Sequence, residues 1–439
     1  MTGLLAPTHI DRSFPRLHPR PERGWVNDPN GILYADGRWH LFFQFNPDSA
    51  RHESICWGHV SSADLLSWEE HPVALRPRAS GPDAYGCWSG VGVVDEGVPT
   101  LVYSGAPDGD GFSEALVVRG SADALDWSGE RVVAAGLPED PLVAMVRDPF
   151  LFELEGRRWA IQGAGRTDVG GALLLYGADD LERWEEHGYL LTAQDAVASE
   201  LPPCDGWECP QLVRIGDDWV LLVSLWMPGE PHRGVAFIVG SLDIDPETGL
   251  PAFAGRGTGI VDSGSSFYAP QAVQAGGADG GPERVLLWGW AQETTDDGSG
   301  RTQDVNDDHG WSGLLTFPRE LAVRDDTVEL VPARELAALR SDPVDVDALP
   351  DQAEVRLVGT GPVELRIDGD AERVLWAAEL DSDEEVRILV DASLVEIHRS
   401  GHPSRTLRAH PGAGDRYAVR HGDAVSAEAW ALRLPERQG

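Results

Sequence analysis

The sequence predicts an all-β protein, a five-bladed β-propeller followed by a C-terminal β-sandwich, and three observations carry that prediction. Strand-like apolar runs recur at an interval of about sixty residues, enough for a four-stranded blade with generous loops. They are Trp39 to Phe45, Thr100 to Tyr103, Trp159 to Gln162, Trp219 to Trp226 and Val285 to Trp290. A second marker keeps the same beat near the end of each unit. It reads Asp64-Leu65-Leu66-Ser67-Trp68, Ala124-Leu125-Asp126-Trp127 and Asp180-Leu181-Glu182-Arg183-Trp184, with Ser241-Leu242-Asp243-Ile244 as a fainter fourth copy. The beat stops near Pro318-Arg319-Glu320-Leu321, and strict alternation then governs Glu354 to Val358, Val363 to Ile367, Val386 to Val390 and Leu394 to His398. Alternation over short strands marks sheets with one polar face, as in a sandwich. A parallel β-helix would repeat at a shorter period, and a helical solenoid would space its apolar residues by about 3.6 instead of 2.

These signals place the propeller at 15–330, a linker with a short helix at 331–345, and the sandwich at 346–436. Composition agrees. Of 439 residues 42% are apolar, so a large core is affordable in area, and 50 Gly and 16 Trp against 3 Met suit a turn-rich β protein.

The net charge is −38 and the chain contains no lysine. Such a surface repels nucleic acid and anionic membranes, and it is compatible with a small neutral ligand such as a sugar. Four cysteines (Cys56, Cys87, Cys204, Cys209) are too few for a disulfide scaffold, and Cys204 and Cys209 lack a second Cys or His pair at zinc-ligand spacing. The acidic run Asp304 to His309 lacks the Gly and terminal Glu of an EF-hand, so it is expected to be a solvated loop and no metal is predicted. Met1 to Ile10 has neither a basic n-region nor an apolar h-region, and no apolar run is long enough to span a bilayer; a cytoplasmic location is expected.

Chemistry enters with three acids. Asp28, Asp148 and Glu208 each precede a Trp (Trp39, Trp159, Trp219) by the same eleven residues, and Ser89 has that offset from Thr100. Matched positions in successive blades converge on the central channel. Carboxylates crowded there raise one another's pKa, a cost that structure alone rarely demands. Two carboxyl groups flanking a glycosidic bond can cleave it, one as nucleophile and one as proton donor, and a third can grip hydroxyls and developing positive charge.

The motifs resemble those of glycoside hydrolase family 32, the invertase and fructanase family. The resemblance rests on Trp25-Val26-Asn27-Asp28-Pro29-Asn30-Gly31, Phe43-Gln44-Phe45-Asn46-Pro47, Cys56-Trp57-Gly58-His59, Trp88-Ser89-Gly90, Arg147-Asp148-Pro149 and Trp207-Glu208-Cys209-Pro210. It continues through Phe267-Tyr268-Ala269, Trp288-Gly289-Trp290, the segment Gly310 to Leu321, and Asp391 to Glu396. The resemblance implies retaining cleavage of terminal β-fructofuranosides without a cofactor. Asp28 would be the nucleophile, Glu208 the general acid/base and Asp148 the transition-state stabiliser. Asn27, Gln44, Trp57, Trp88, Ser89, Arg147, Tyr268 and Trp290 would contact substrate. Arg147 is also expected to lower the pKa of Asp148, and Cys209 to pack near the acids without acting as a nucleophile.

Two departures touch the pocket. His52-Glu53-Ser54 stands where family members often carry Trp-Gly-Asn, and Ser266 where they often carry Asp. Sucrose and short fructo-oligosaccharides are the expected substrates. A sucrose-6-phosphate hydrolase, a fructosyltransferase and a non-catalytic fructan-binding protein are the alternatives.

Overall fold

The computed structural model describes residues 11–229, 234–275, 283–295, 300–370, 372–381 and 384–435. The N-terminal decapeptide and the expected sandwich boundary at 436 lie outside the described residues. Five antiparallel sheets follow one another along the chain. Sheet I comprises Gly24–Ala35, Arg38–Asn46, Cys56–Ser62 and Glu69–Leu75. Sheet II comprises Gly86–Asp95, Val98–Ala106, Glu114–Arg119 and Arg131–Ala135. Sheet III runs through Val143–Leu154, Arg157–Arg166, Gly170–Gly177 and Glu185–Thr192, and sheet IV through Gly206–Ile215, Asp218–Trp226, Val235–Ile244 and Pro251–Ile260. Sheet V holds Phe267–Gln274, Val285–Ala291, Arg319–Arg324 and Thr327–Pro332. The five apolar runs picked out in the sequence are the second strands of these sheets.

Local chemistry explains the hairpins. The first two strands of sheets I, II and III are joined by Asp36-Gly37, Glu96-Gly97 and Glu155-Gly156, both residues of each pair having positive φ (47 and 74°, 49 and 83°, 52 and 76°). That is the tight turn whose twist matches the flanking strands. Trp127 and Trp184 close the third-strand turns by donating their indole N–H to Ala124 and Leu181 carbonyls, both at 2.9 Å. In these two copies of the second marker, the Trp is a turn-closing donor to the carbonyl three residues upstream.

The first strand of each sheet packs against the first strand of the next, and that of sheet V packs against that of sheet I. The inner strands therefore form a closed ring. Its seam is pinned by Trp311–Ser312, which pairs in parallel with Gly24 and Trp25. Every inner strand is also interrupted at the same level. The pairing skips Asn27 and Asp28 in sheet I, Trp88 and Ser89 in sheet II, and Asp148 in sheet III. It skips Cys209 and Pro210 in sheet IV, and Ala269 and Pro270 in sheet V. Such bulges re-aim side chains out of the ladder.

The tail forms two further sheets. One has six strands in the order Arg340–Pro343, Val425–Leu432, Gln352–Gly359, Glu385–Asp391, Leu394–Arg399, Arg405–Arg408; the other has three, Arg373–Leu380, Gly361–Asp368, Arg416–His421. Val355, Leu357, Ile388, Leu365, Val419 and Tyr417 fill a common core.

Within 331–345, Arg334–Leu339 is a 3-10 helix, and Arg340–Pro343 is an edge strand of the tail's larger sheet. One local expectation changes. Asp304 to His309 is not a loop but part of the helix Gln303–His309, because Thr302 caps its start and Gly310 its end in the left-handed region (φ 74°). No helix among the described residues is long and apolar enough to cross a membrane.

A buried ionic network ties the tail to the ring. Arg319 on sheet V donates to Glu396 (2.9 Å), Asp262 (3.0 Å) and Thr406 (2.7 Å) with no side-chain exposure. His18 bridges Asp391 at 2.7 Å and Glu396 at 3.4 Å. Burial works against ionising Glu396, but Arg319 and His18 outweigh it and hold its pKa well below the usual carboxylate range. Removing one member leaves the others charged in a dry site, so Arg319→Met is expected to destabilise the fold by roughly 3–5 kcal/mol in denaturant unfolding. Breaking the exposed Arg157–Asp179 pair should cost less than about 1 kcal/mol. Similar costs for both would contradict the clamp.

Candidate active site

The five bulges open into one cavity of about 370 Å³, lined by Trp25, Asn27, Asp28, Gln44, His52, Trp88, Arg147, Asp148, Glu208, Trp226, Tyr268 and Trp290. The ring thus brings the three acids together. Of the residues expected to contact substrate, Asn27, Gln44, Trp88, Arg147, Tyr268 and Trp290 line this cavity. Ser89 lies just behind it, donating to Asp28 at 2.5 Å. Trp57 is elsewhere: fully buried, it packs on Tyr103 and donates its indole N–H to the Trp88 carbonyl at 3.0 Å. It supports the wall without reaching the cavity.

Asp28 sits among donors. Asn27 reaches its Oδ1 at 3.0 Å, while Gln44 (3.2 Å), Ser89 and the Cys209 thiol (3.7 Å) reach Oδ2. Asn27 and Gln44 are themselves locked together at 2.9 Å, and Trp25 fixes the Asn27 oxygen at 2.8 Å. A carboxylate held this way is oriented as a nucleophile must be.

Glu208 is held from both sides. Arg147 donates to its Oε1 at 3.1 Å and Tyr268 to its Oε2 at 2.8 Å. Burial, then the Glu208 charge, pushes the Tyr268 phenol well above its ordinary pKa, so it stays a donor.

Asp148 accepts the Cys209 amide at 2.9 Å and the Cys209 thiol at 3.4 Å, while its own amide donates to Ser104 at 2.6 Å. Burial first, then the Cys209-adjacent charges of Asp148, Asp28 and Glu208, raises the Cys209 thiol well above its ordinary value. It donates to both Asp28 and Asp148.

One sequence reading holds and one needs correction. Arg147 pulls the Asp148 pKa downward as expected, though burial and the Glu208 charge outweigh it, and the carboxyl is pushed up to about 7. Arg147 aims its guanidinium at Glu208. The matched spacing to Trp misplaces Glu208 by one residue. Asp148, Cys209 and Ala269 are the equivalent positions, each with positive φ (59, 46 and 44°) immediately before a proline. Glu208 therefore corresponds to Arg147 and Tyr268, because bulges of different size offset the strands.

Three lining residues had no role assigned from sequence. His52 packs edge-on against Trp25 with ring centroids 5.8 Å apart, and Trp25 meets Trp290 at 5.8 Å. Trp226 faces Arg147. Its position at the end of an apolar strand, two residues beyond the partner of Glu208, was the available signal. Among the described residues no group of three or more His, Cys, Asp or Glu side chains is arranged to hold a metal ion.

Paired carboxyl groups on a sugar-sized aromatic pocket define a glycoside hydrolase site. Comparison with known proteins agrees: residues 18–333 match the N-terminal domain of glycosyl hydrolases family 32, so the chain belongs to that family and is a glycoside hydrolase. It is similar to a sucrose-6-phosphate hydrolase of Klebsiella pneumoniae, 32% identical with 96% of this chain and 94% of the relative covered. It is 30% identical to a raffinose invertase of Escherichia coli, with 95% of each covered. Among solved structures, a family 32 β-fructofuranosidase of Bombyx mori, crystallised as a mutant with sucrose, superposes with a TM-score of 0.77 at 26% identity, covering 96% of this chain and 94% of that one.

The raised Asp148 has a consequence for stability. The folded chain binds this proton more tightly than an unfolded Asp does (pKa about 3.9), so the group's contribution is fully present below about pH 4 and is lost as pH rises through about 7. Asp148→Asn carries no charge to bury. Its Tm should exceed that of the native protein by a few degrees at pH 8, with the gap closing toward pH 4. A gap independent of pH would contradict the assignment.

Proposed function

We propose that the chain is a retaining exo-β-fructofuranosidase that releases terminal non-reducing fructose from sucrose and short fructo-oligosaccharides. The observation carrying this reading is the cavity in which Asp28 is wrapped by donors while Glu208 is held by one guanidinium and one phenol. Asp28 attacks the anomeric carbon, and Glu208 protonates the departing oxygen and later activates water on the fructosyl-enzyme. Retention calls for a separation of about 5–5.5 Å between the two carboxyl groups. Asp148 grips ring hydroxyls as positive charge develops. Asn27, Gln44, Ser89 and the indole walls orient the furanose. In the same reading the five sheets are the blades of a five-bladed propeller at 15–330, the segment 331–345 links it to the sandwich at 346–436, and that linker lends the sandwich an edge strand.

Relatives and structural neighbours support the chemistry, since their names describe hydrolases and invertases of sucrose, its phosphate or raffinose. Within the cavity the ionisable groups are three carboxyl groups and one guanidinium, already engaged by Glu208, with His52 beside them. That balance favours a neutral sugar over sucrose-6-phosphate. All four cysteines are free thiols, which suits a reducing, cytoplasmic setting.

The test is purified protein with sucrose, sucrose-6-phosphate, 1-kestose and inulin in parallel, products resolved by chromatography. Free fructose from sucrose and 1-kestose is expected, with inulin slower. Asp28→Ala and Glu208→Ala should each lower kcat on sucrose by at least about 10³-fold while leaving the fold intact. Release from the phosphorylated sugar alone would overturn the substrate assignment, and near-native kcat in either variant would overturn that residue's role.

A further inference from the structure

We infer that Trp226 is a positioning residue for Glu208, acting through Arg147. The Arg147 guanidinium lies over two indoles, its Cζ 5.1 Å from the ring centroid of Trp88 and 5.2 Å from that of Trp226. Its two terminal nitrogens are committed, Nη1 to Glu208 Oε1 and Nη2 to the Gly111 carbonyl, both at 3.1 Å. Its Nε is buried without a hydrogen-bond partner. The planar group is therefore steered by two aromatic rings, and by hydrogen bonds only at its tip.

The ladder explains why Trp226 is the partner. In sheet IV, Glu208 stands opposite Ser224 and Gly206 opposite Trp226. Residues two apart on a strand share a face, so Trp226 projects on the same side as the partner of Glu208. Gly206 is required by Met145, whose sulfur would lie 3.0 Å from a Cβ at that position. The stack thus links sheet II (Trp88), sheet III (Arg147) and sheet IV (Trp226) around one carboxyl group. Without Trp226, one face of the guanidinium is open to the cavity, and its hydrogen bond to Glu208 competes with water.

This inference rests on the reading of Glu208 as the general acid, and the test separates the two. A general acid matters when the leaving group is a poor one, such as the glucose oxygen of sucrose, and little when it leaves as nitrophenolate. Trp226→Leu, with its fold checked by circular dichroism, is therefore compared on sucrose and on 4-nitrophenyl β-D-fructofuranoside. The expected result is a fall in kcat/KM, which reports the bond-cleaving step alone, of about 30-fold on sucrose and less than about 3-fold on the aryl substrate, with Trp226→Phe recovering most of the loss because it restores an aromatic face. Equal losses on both substrates, or a raised KM for sucrose with kcat unchanged, would overturn it; the latter would make Trp226 a platform for the departing sugar. If Trp226→Leu does not fold, Trp226→Met, closer in volume and without an aromatic face, is held to the same criteria. Glu208→Ala is the control. If it shows no leaving-group dependence, the general-acid reading fails; if it does and the indole variants do not, only the positioning role fails.

Discussion

The constraint on which the molecule depends is the crowding of three acids at one mouth of a closed ring of strands. Each inner strand contributes one bulge at the same level, and the bulges turn side chains inward that a regular ladder would have left on the sheet faces. Burying carboxylates side by side is unfavourable, and the structure answers it with donors more than with counter-charge. Asp28 receives amide, hydroxyl and thiol hydrogens, Asp148 a backbone amide, and Glu208 the one guanidinium. What those donors leave uncompensated is visible as the proton that Asp148 retains up to about pH 7. Local backbone strain accompanies it, since Asp148 and Cys209 both hold a left-handed conformation that non-glycine residues disfavour.

Closure of the ring depends on residues far along the chain. Trp311 and Ser312 complete the seam beside Gly24 and Trp25, a few residues before Asn27 and Asp28. The N-terminal segment then crosses to the tail, where the amides of Arg16 and Leu17 donate to Asp391 and His18 bridges Asp391 and Glu396. Arg319 joins the same anions from sheet V. The tail domain is therefore coupled to the seam through a network whose ionic side chains are buried, an arrangement that adds more to the definition of one docking geometry than to net stability.

Much of this was legible in the sequence for identifiable reasons. The second strands show because they are buried on both faces and read as unbroken apolar runs, and the tail strands show because they alternate. The acids show because each lies beside an X-Pro or bulge position that recurs with the sheets. Register to a single residue did not show: spacing to a Trp counts residues, whereas bulges of one or two residues shift the ladder, so Glu208 aligned with Asp148 when its structural counterpart is Arg147. Trp57 and Trp226 exchanged apparent roles for a related reason. A tryptophan in a motif and one ending an apolar run look alike until burial separates the core indole from the one facing the cavity. The helix Gln303–His309 was hidden because its composition is acidic and its signals are the flanking caps, Thr302 and Gly310. The raising effect of crowded carboxylates on Asp148 was legible, but its balance against Arg147 was hidden, since a neighbouring Arg in sequence says nothing about which carboxylate the guanidinium meets.

No acid in the site is oriented by its own sheet alone. Asp28 of sheet I depends on Ser89 of sheet II and Cys209 of sheet IV; Asp148 of sheet III depends on Ser104 of sheet II and Cys209 of sheet IV. Glu208 of sheet IV depends on Arg147 of sheet III and Tyr268 of sheet V. Every one of the five sheets thus supplies at least one of these groups. A small rotation of one sheet against the next would move several donors at once, and the N–H and O–H hydrogen bonds among them, at 2.5–3.1 Å, tolerate little of that. The geometry of the ring, more than the strength of any single bond, is what holds the acids in a reactive arrangement. Activity should accordingly be lost to distortion of the ring before the fold itself is lost, because the sheets keep their own ladders and cores after the contacts across the channel have slipped.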